Sequence, residues 1–536
     1  MMRLGAALLV AGVVVLGLAA GVDAGEPSVI PQPVSVQRRE GAFRLTPQTR
    51  IVARGPAWAE ASKLIDFLTP ATGFVLRGAT SRQGDEPAIE LTLDRNLSDL
   101  GDEGYTLDVT RGGITIAARR PPGLFYGIQT LRQLLPAAIF SKAKADDVTW
   151  DVPCVYITDT PRFQWRGLLL DPARHFISVP DVKRFIDVMA LHKFNHLQVH
   201  LTDNEGWRIE IRKYPQLAQL GSQMDWNLRR RGGTGPRRFG FYTQEDIREL
   251  VRYAAERYIT IVPEIEMPFH TGAAIVVHPE LGITPGPLGA LPLEQRWYKT
   301  RGLIAPRPRA VAFFQDVLTE VMELFPSAHI HIGGDEANTE HWANDPEMQE
   351  QMKRLELADA HELHSWFIAR MDVFLAQYER RLVGWDEILQ GGLAPGATVM
   401  SWRGEQGGIA AANAGHDVVM APTSHTYFDY YQGPPESEPL AIGGNLPLAR
   451  VYSYDPIPEA IAAENARHVL GVQGQLWGEY IATAEHLDYM AYPRAAALAE
   501  VGWSPRERKD YDDFVGRLER HLQRLKTIGV HFRALD

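Results

Sequence analysis

The strongest constraint on the fold is a repeated order of strand, loop and helix that begins after the segment Asp159–Gly167. Short apolar runs recur there that fit buried parallel strands. These runs are Gly167–Asp171, His196–Leu201, Ile259–Ile265, His329–Gly333, Leu382–Trp385, Thr398–Trp402, Asp417–Ala421 and Val469–Leu476. Helical patterns such as Val179–His192 and Gln244–Arg257 lie between most of them. Eight strands alternating with helices predict an α/β fold, a (β/α)8 TIM barrel; a doubly wound open sheet is the alternative.

The part of the chain before this repeat, from about Pro27 to Thr158, has short strand-like runs broken by Gly, Pro and Asn. The strand candidates are Ala88–Asp94, Tyr105–Thr110 and Gly113–Ala118, and the helix candidates are Trp58–Leu68 and Gly123–Leu135. Antiparallel strands with helices on one side predict a small α+β domain. We therefore divide the chain into a supporting α+β domain at 25–158 and a barrel domain with a C-terminal helix at 159–536.

The N-terminus has the pattern of a secretory signal peptide. Arg3 is followed by an uncharged run, Leu4–Ala20, and small residues lie near a cleavage point at about Ala24. A basic start, an apolar stretch and small residues are typical of a cleaved leader; a retained membrane anchor is the alternative. We expect residues 1–24 to be removed and the mature protein to be exported, periplasmic or secreted, with no membrane span.

Charge and cysteine content exclude several classes of function. The chain has 55 Lys+Arg and 66 Asp+Glu, a formal net charge of −11, which disfavours binding to nucleic acid because phosphates would be repelled. Its one cysteine, Cys154, can form neither an intrachain disulfide nor a thiolate cluster.

Polar side chains follow nearly every predicted barrel strand. The residues concerned are Asp171, Arg174, His175, His200, Asp203, Glu205, Trp207, Glu264, Glu266, His270, His329, His331, Asp335, Glu336, Trp385, Asp386, Glu387, Trp402, Arg403, Tyr427, Asp429, Tyr430, Trp477 and Glu479. Any one of them alone is explained by a helix N-cap or a solvated loop charge. The whole set is not, because clustered like charges cost stability and mark functional sites. In a TIM barrel the C-terminal ends of the strands carry the active site.

Two adjacent carboxylates, Asp335 and Glu336, directly follow Gly333 and Gly334. Adjacent side chains of an extended strand face opposite ways, so the glycines must bend the chain for both acids to address one substrate. Two acids at one pocket edge separate in pKa, so that one stays charged and the other can hold a proton. Cleavage of an acetal needs such a pair. An N-cap role for Asp335 is the structural alternative.

Three tryptophans, Trp385, Trp402 and Trp477, end separate predicted strands. The apolar C–H face of a pyranose stacks on indole, whereas sugar hydroxyls need charged or amide partners. A lone tryptophan is more often a core residue, but three of them beside acids indicate a sugar-binding pocket.

Several motifs together resemble glycoside hydrolase family 20, the β-N-acetylhexosaminidases. They are HIGGDE (His331–Glu336), DPARHF (Asp171–Phe176), HLTDNEGW (His200–Trp207), GWDEI (Gly384–Ile388), SWRG (401–404) and LWGE (476–479). The resemblance extends from about Pro27 to the C-terminus and includes the small α+β domain. One departure is MPFH (Met267–His270), where many relatives have Gly before the His, which leaves the position of His270 open.

The resemblance implies exo-acting hydrolysis of terminal, non-reducing β-linked N-acetylglucosamine or N-acetylgalactosamine, with retention through an oxazolinium intermediate. It implies Glu336 as general acid and base, and Asp335 as the residue that orients the acetamido group. Tyr427 would donate to the acetamido oxygen. Arg174, Asp429 and Glu479 would bind sugar hydroxyls, Trp385, Trp402 and Trp477 would wall the pocket, and Asp203, His270 and His331 would position the acids. No cofactor and no metal are implied; the partners would be hexosaminide oligosaccharides or glycoconjugates, and the oligomeric state stays open.

Two other functions are consistent with parts of the sequence. His329 and His331 form a His-x-His pair on one strand face, as zinc ligands can, which would suit a metal-dependent hydrolase. A carbohydrate-binding protein without turnover would have a similar pocket, but Glu336 would then affect affinity alone.

Overall fold

The computed structural model describes residues 27–82, 84, 86–229, 239–283 and 288–535. The predicted signal peptide, residues 1–24, lies outside these ranges. Within them, no helix is both long enough and apolar enough to cross a bilayer.

The N-terminal unit is a seven-stranded sheet with two main helices. Its strands are β1 (Ser35–Arg44), β2 (Arg50–Ala53), β3 (Arg77–Ala79), β4 (Ala88–Leu93), β5 (Tyr105–Thr110), β6 (Gly113–Ala118) and β7 (Asp151–Asp159), and its helices are α1 (Ala57–Thr72) and α2 (Pro121–Leu134). The strand order is β1-β7-β5-β6-β4-β2-β3.

This sheet is mixed, so the expectation of antiparallel strands was wrong for half of it. Strand β2 pairs in parallel with β3 and β4, and β4 pairs in parallel with β6. Helix α1 carries the chain from the end of β2 back to the start of β3, a crossover that leaves the two strands parallel. The pairs β1–β7, β5–β6 and β5–β7 are antiparallel as expected.

The second unit is a closed barrel of eight parallel strands. They are β8 (Trp165–Leu170), β9 (His196–His200), β10 (Thr260–Met267), β11 (His329–Gly333), β12 (Arg381–Trp385), β13 (Thr398–Ser401), β14 (Val418–Met420) and β15 (Val469–Leu476). Each strand pairs with its neighbours in sequence, and β15 pairs with β8 to close the ring. The predicted (β/α)8 barrel preceded by a small α+β domain is confirmed.

Helices follow the barrel strands on the outside of the ring. They are α3 (Val179–Leu191), α4 (Gln216–Gly221), α5 (Trp226–Arg229), α6 (Gln244–Ala255), α7 (Gly272–Val277), α8 (Leu293–Lys299), α9 (Pro308–Leu324), α10 (Glu340–Ala343), α11 (Pro346–Arg354), α12 (Ala360–Ala376), α13 (Gln406–Asn413), α14 (Thr423–Thr426), α15 (Leu448–Ser453), α16 (Ala484–Ala491), α17 (Arg494–Trp503) and α18 (Tyr511–Ile528). The longer ones bury one apolar face; α9, for example, buries Phe314, Val317 and Val321 against the barrel side of the core.

The inside of the barrel has its own small core, which forms the base of the site. Side chains such as Leu169, Val262 and Met400 are fully buried there, and the indole of Trp385 packs on them. Side chains that point inward from successive strands stack in layers, so the last layer is presented at the C-terminal rim. The barrel therefore holds the site residues above a rigid apolar base.

Candidate active site

A cavity of about 190 Å³ opens at the C-terminal ends of the barrel strands. Ten of the predicted site residues line it, namely Arg174, His270, Asp335, Glu336, Trp385, Trp402, Tyr427, Asp429, Trp477 and Glu479. The other two, Asp203 and His331, lie behind this layer and are buried. Residues from the ends of β8, β10, β11, β12, β13 and β15 thus meet in one cavity.

The backbone turns sharply where it delivers the two adjacent acids. Gly333 and Gly334 have φ of +70° and +92°, and Glu336 itself has φ of +50°. Left-handed backbone is costly for a residue with a Cβ, and such strain is found at functional sites. The turn directs Asp335 and Glu336 into the same cavity, although adjacent residues of a strand would point apart.

Gly333→Ala should destabilise the protein because two effects coincide there. Alanine at this φ is strained by about 1–2 kcal/mol, and its Cβ would collide with the Glu266 carboxylate. Gly392→Ala is the matched control, since Gly392 also has a positive φ, +110°, but nothing lies within 4 Å of a Cβ there. Thermal unfolding should show a clearly larger fall in Tm for Gly333→Ala than for Gly392→Ala. Equal falls would mean that contact with Glu266 adds nothing.

Asp203, His270 and Glu336 form a hydrogen-bonded row. Nδ1 of His270 lies 3.2 Å from Oδ1 of Asp203, and its Nε2 lies 3.1 Å from Oε2 of Glu336. The same Nε2 lies 3.6 Å from Oδ2 of Asp335. His270 therefore contacts both acids, despite the Phe that replaces Gly before it in the MPFH segment.

Charges in this row differ from those of free side chains. Burial opposes a charge on His270, but the Asp203 carboxylate and the Glu336 hydrogen bond raise its pKa well above the ordinary value. The hydrogen bond from His270 lowers the pKa of Glu336, against the effect of burial. Burial, together with Glu264 and Glu336, raises the pKa of Asp335, although the His270 charge opposes this. The two adjacent acids are therefore shifted in opposite directions.

Arg174 lies in a cluster of four acids. Its guanidinium contacts Asp171 (2.9 Å), Asp203 (2.7 Å), Glu205 (3.4 Å) and Glu479 (3.7 Å). Burial opposes its charge, but these carboxylates raise its pKa well above the ordinary value. Its guanidinium carbon also lies 5.1 Å from the centre of the Trp477 ring. Arg174 thus contacts both Asp203, which belongs to the row of Asp203, His270 and Glu336, and Trp477, which belongs to the indole wall.

Two of the three indoles that line the cavity donate hydrogen bonds to carboxylates. Nε1 of Trp385 donates to Glu264 (3.0 Å), and Nε1 of Trp402 donates to Glu387 (3.0 Å). Trp385 and Trp477 have ring centres 5.6 Å apart, tilted by 46°. Because the N–H groups of Trp385 and Trp402 are already used, these two rings offer faces and edges to a ligand.

His331 acts on this wall and not directly on the two acids. Its Nδ1 lies 3.0 Å from Oε1 of Glu264, and its ring meets Trp385 edge-on with centres 4.9 Å apart. Glu264 also contacts His200 at 2.6 Å, and His200 lies 2.9 Å from Asp203. Burial opposes the charge of His200, but Glu264 and Asp203 raise its pKa to about 10.

Several buried oxygens of residues that line the cavity have no hydrogen-bond partner among the described residues. They are Oδ1 of Asp335, Oδ1 of Asp429 and Oε2 of Glu479. Burial and the neighbouring Glu479 raise the pKa of Asp429 well above its ordinary value. Unpaired buried oxygens are costly, so the site is suited to a ligand that brings N–H and O–H groups.

Four residues contribute to the site although sequence reasoning assigned them no role. Glu264, Glu387 and Tyr430 belong to the predicted polar strand-end residues, whereas Ile442 was not predicted; Tyr430 and Ile442 line the cavity. The polar strand-end pattern could have pointed to the first three. Nothing in the local sequence marks Ile442, which lies in a long loop.

Glu387→Gln should change the pH dependence of stability. Burial and the nearby Asp335 raise the pKa of Glu387 to about 7, so the folded protein holds this proton at pH values where the unfolded chain has lost it. Stability should therefore fall as the pH rises from about 4.5 to 7, by at most about 3 kcal/mol. We expect the Tm of the wild type to fall relative to the Tm of Glu387→Gln as the pH rises from about 4.5 to 7. If the Tm difference between the two proteins is the same at pH about 4.5 and about 7, the raised pKa of Glu387 is contradicted.

The His-x-His pair does not form a metal site among the described residues. His329 begins β11 at the opposite end of the barrel, where its ring meets Trp165 edge-on at 5.4 Å. His331 is paired with Glu264 as described above. The clusters with suitable spacing are His200–Glu264–Glu266 and His270–Asp335–Glu336, and neither includes the pair.

A TIM barrel that carries two adjacent carboxylates and an indole-walled cavity at its C-terminal rim defines a glycosidase. Comparison with known families and structures narrows this class. Residues 163–506 match the model described as "Glycosyl hydrolase family 20, catalytic domain", and residues 26–160 match "Glycosyl hydrolase family 20, domain 2". The chain belongs to glycosyl hydrolase family 20.

Individual relatives agree with this assignment. A β-hexosaminidase of Porphyromonas gingivalis is 43% identical over 510 residues, which cover 94% of this chain and 64% of that protein. The GH20 β-N-acetylhexosaminidase of Streptomyces coelicolor superposes with a TM-score of 0.82 at 34% identity, over 95% of this chain and 98% of that one. The GH20 exo β-N-acetylglucosaminidase of Vibrio harveyi, in complex with N-acetylglucosamine, has a TM-score of 0.83 at 31% identity, over 95% and 78% of the two chains.

Proposed function

We propose that this protein hydrolyses terminal, non-reducing β-linked N-acetylglucosamine and N-acetylgalactosamine in oligosaccharides or glycoconjugates. The observation that carries the proposal is the pair Asp335–Glu336, with opposite pKa shifts, beside an indole-walled cavity. Exo action is supported by the burial of Asp429 and Glu479, two of the polar residues that line the cavity. The bound N-acetylglucosamine in the Vibrio harveyi relative also supports it.

In the proposed reaction the sugar's own acetamido oxygen attacks C1, and an oxazolinium forms with retention of configuration. Asp335 accepts the acetamido N–H at its unpaired Oδ1 and stabilises the charge that develops on nitrogen. Tyr427 donates to the acetamido oxygen, and the walls of Trp385, Trp402 and Trp477 hold the ring. A well-oriented neighbouring group of this kind can be worth about 7–11 kcal/mol.

Glu336 is the proposed acid for the leaving group, and His270 helps it to carry a proton. In the free protein the proton lies toward His270, since that residue has the raised pKa and Glu336 the lowered one. A bound sugar excludes water from Glu336, and burial disfavours an ion pair relative to a neutral pair. The proton then moves from Nε2 of His270 to Oε2 of Glu336, 3.1 Å away, and from there to the glycosidic oxygen. Glu336 next accepts a proton from the water that opens the oxazolinium.

The remaining predicted residues have supporting roles in this proposal. Asp429, Glu479 and Arg174 bind sugar hydroxyls, and two of them offer unpaired oxygens for this. Asp203 fixes the orientation of His270, and His331 fixes Trp385 through Glu264. We also propose the division into residues 25–158 and 159–536, which is supported by two family matches that meet between residues 160 and 163.

The test compares chromogenic β-glycosides with and without the 2-acetamido group. We expect release from the β-N-acetylglucosaminide and β-N-acetylgalactosaminide and none from the plain β-glucoside. Cleavage of the glucoside alone would contradict the proposal.

A second comparison tests the internal attack. Successive fluorination of the acetamido methyl group withdraws electrons from the attacking oxygen, so kcat should fall steeply along the series. A flat series would favour attack by water or by an enzyme carboxylate.

A further inference from the structure

Glu336 is the most exposed of the acids that line the cavity. Its side chain is 53% exposed, whereas that of Asp335 is 12% exposed and Asp429 and Glu479 are buried. In the proposed function, Glu336 protonates the oxygen that joins the sugar to its leaving group. The leaving group must then lie on the solvent-exposed side of Glu336, because the proposed sugar position is beside the buried Asp335, Asp429 and Glu479.

An apolar segment, Leu440–Ile442, borders the cavity through Ile442. Ile442 lines the cavity together with Glu336 and is 46% exposed, and Leu440 is 66% exposed. Ala441 between them is buried, so the two large side chains project to the same outer side of the segment. Large exposed apolar side chains beside a binding cavity are typical of a ligand contact.

The segment is held in place by the wall of the cavity. The amide of Tyr431 donates to the carbonyl of Gly443 (3.3 Å), and the amide of Leu446 donates to the carbonyl of Tyr431 (2.8 Å). Gly444 packs directly on the Tyr430 ring, which leaves no room for a Cβ. Leu440 and Ile442 are therefore presented from an anchored loop.

Aromatic rings connect this loop to the interior of the cavity. The centre of the Tyr430 ring is 5.7 Å from that of Tyr427, and the Tyr427 ring stacks on Trp402 at 6.1 Å. The rings of Trp402, Tyr427 and Tyr430 thus follow one another along the wall of the cavity that Ile442 also lines. Among the described residues, the charged side chains that line the cavity are those already assigned to the sugar and the acid.

We propose that Leu440 and Ile442, with Tyr430, form a binding site for the apolar part of the leaving group, an alkyl or aryl aglycone. This inference rests on the proposed function. Complete burial of one methylene group strengthens binding by about fourfold. A surface that buries the methylene by about half strengthens binding by about twofold for each methylene in contact.

The experiment measures kcat/KM for methyl, butyl and octyl β-N-acetylglucosaminides, below the concentration at which the octyl compound forms micelles. We expect the octyl-to-methyl ratio to be about tenfold for the wild type. The double variant Leu440→Ser/Ile442→Ser should reduce this ratio to less than threefold. Val75→Ser is the matched control, because Val75 is 80% exposed on the N-terminal unit, and its ratio should stay at the wild-type value.

Each result decides between the alternatives. A wild-type octyl-to-methyl ratio near one overturns the inference, and so does a ratio that is unchanged in the double variant. In both cases, turnover of the methyl glycoside leaves the proposed function intact. If none of the N-acetylglucosaminides is cleaved, the proposed function fails and the inference fails with it. If the double variant instead loses turnover of an N-acetylglucosamine disaccharide with the alkyl ratio unchanged, the segment binds a second sugar and the alkyl assignment is wrong.

Discussion

Glu336→Gln is expected to lower kcat by about 10³-fold with little loss of substrate binding. General acid–base groups contribute about 10²–10⁴-fold, and glutamine keeps the size of the side chain and its hydrogen bond with His270 but has no proton of suitable acidity. The loss falls on kcat because the proton transfer belongs to the transition state. Steady-state kinetics with an alkyl β-N-acetylglucosaminide, whose leaving group needs protonation, measure this loss.

The leaving group provides an internal control for this variant. A substrate with an acidic phenol as leaving group needs little protonation, so Glu336→Gln should lose less activity on it than on an alkyl glycoside. Glu347→Gln is the matched substitution elsewhere, at an exposed residue paired with Arg307, and should behave as the wild type. Equal losses in kcat and in affinity for Glu336→Gln would contradict an acid role.

Asp335→Asn is the second variant with a large expected effect, about 10²-fold or more in kcat. The asparagine side chain can turn its amide toward the acetamido N–H, where it cannot accept a hydrogen bond, and it lacks the charge that stabilises the developing cation. Asp335 is buried and its Oδ1 has no other partner among the described residues, so no neighbour can replace it. Loss of a charge-stabilising group at such a site costs about 3–4 kcal/mol in the transition state.

The fluorinated acetamido substrates distinguish this role from simple binding. If Asp335 steers the attacking amide, the dependence of kcat on fluorination should change in Asp335→Asn, since attack is no longer assisted to the same extent. Asp108→Asn, at an exposed pair with Arg39 on the N-terminal sheet, is the control and should leave the kinetics unchanged. An unchanged fluorine dependence in Asp335→Asn would show that Asp335 does not act on the acetamido group.

The site could be predicted from sequence to the extent that it depends on strand ends. The strands β11 and β15 begin and end at the predicted residues, and other barrel strands differ by one or two positions. Because all eight strands point the same way, their C-terminal ends meet at one rim, so residues far apart in sequence could be assigned to one site. Asp335 and Glu336 were identifiable for the further reason that their glycines precede them directly.

The N-terminal sheet shows where such reasoning fails. The runs Tyr105–Thr110 and Gly113–Ala118 were placed correctly as strands, and their antiparallel pairing follows from the tight turn between them. The direction of β2, β3 and β4 relative to each other depends on how α1 packs across the sheet. Alternating apolar residues specify a strand but not its partner.

Local sequence alone determined that this chain forms a (β/α)8 barrel with a small α+β domain. It also determined that acids and indoles cluster at the C-terminal rim of the barrel. Periodicity and turn residues act over a few positions, and a closed parallel ring leaves little choice in how the units assemble. Only the tertiary structure decided that His270 contacts both acids, that Glu264 and Glu387 hold two of the indoles, and that Ile442 lines the cavity. Those contacts join side chains from different loops, and their distances depend on how the loops pack, which no local pattern encodes.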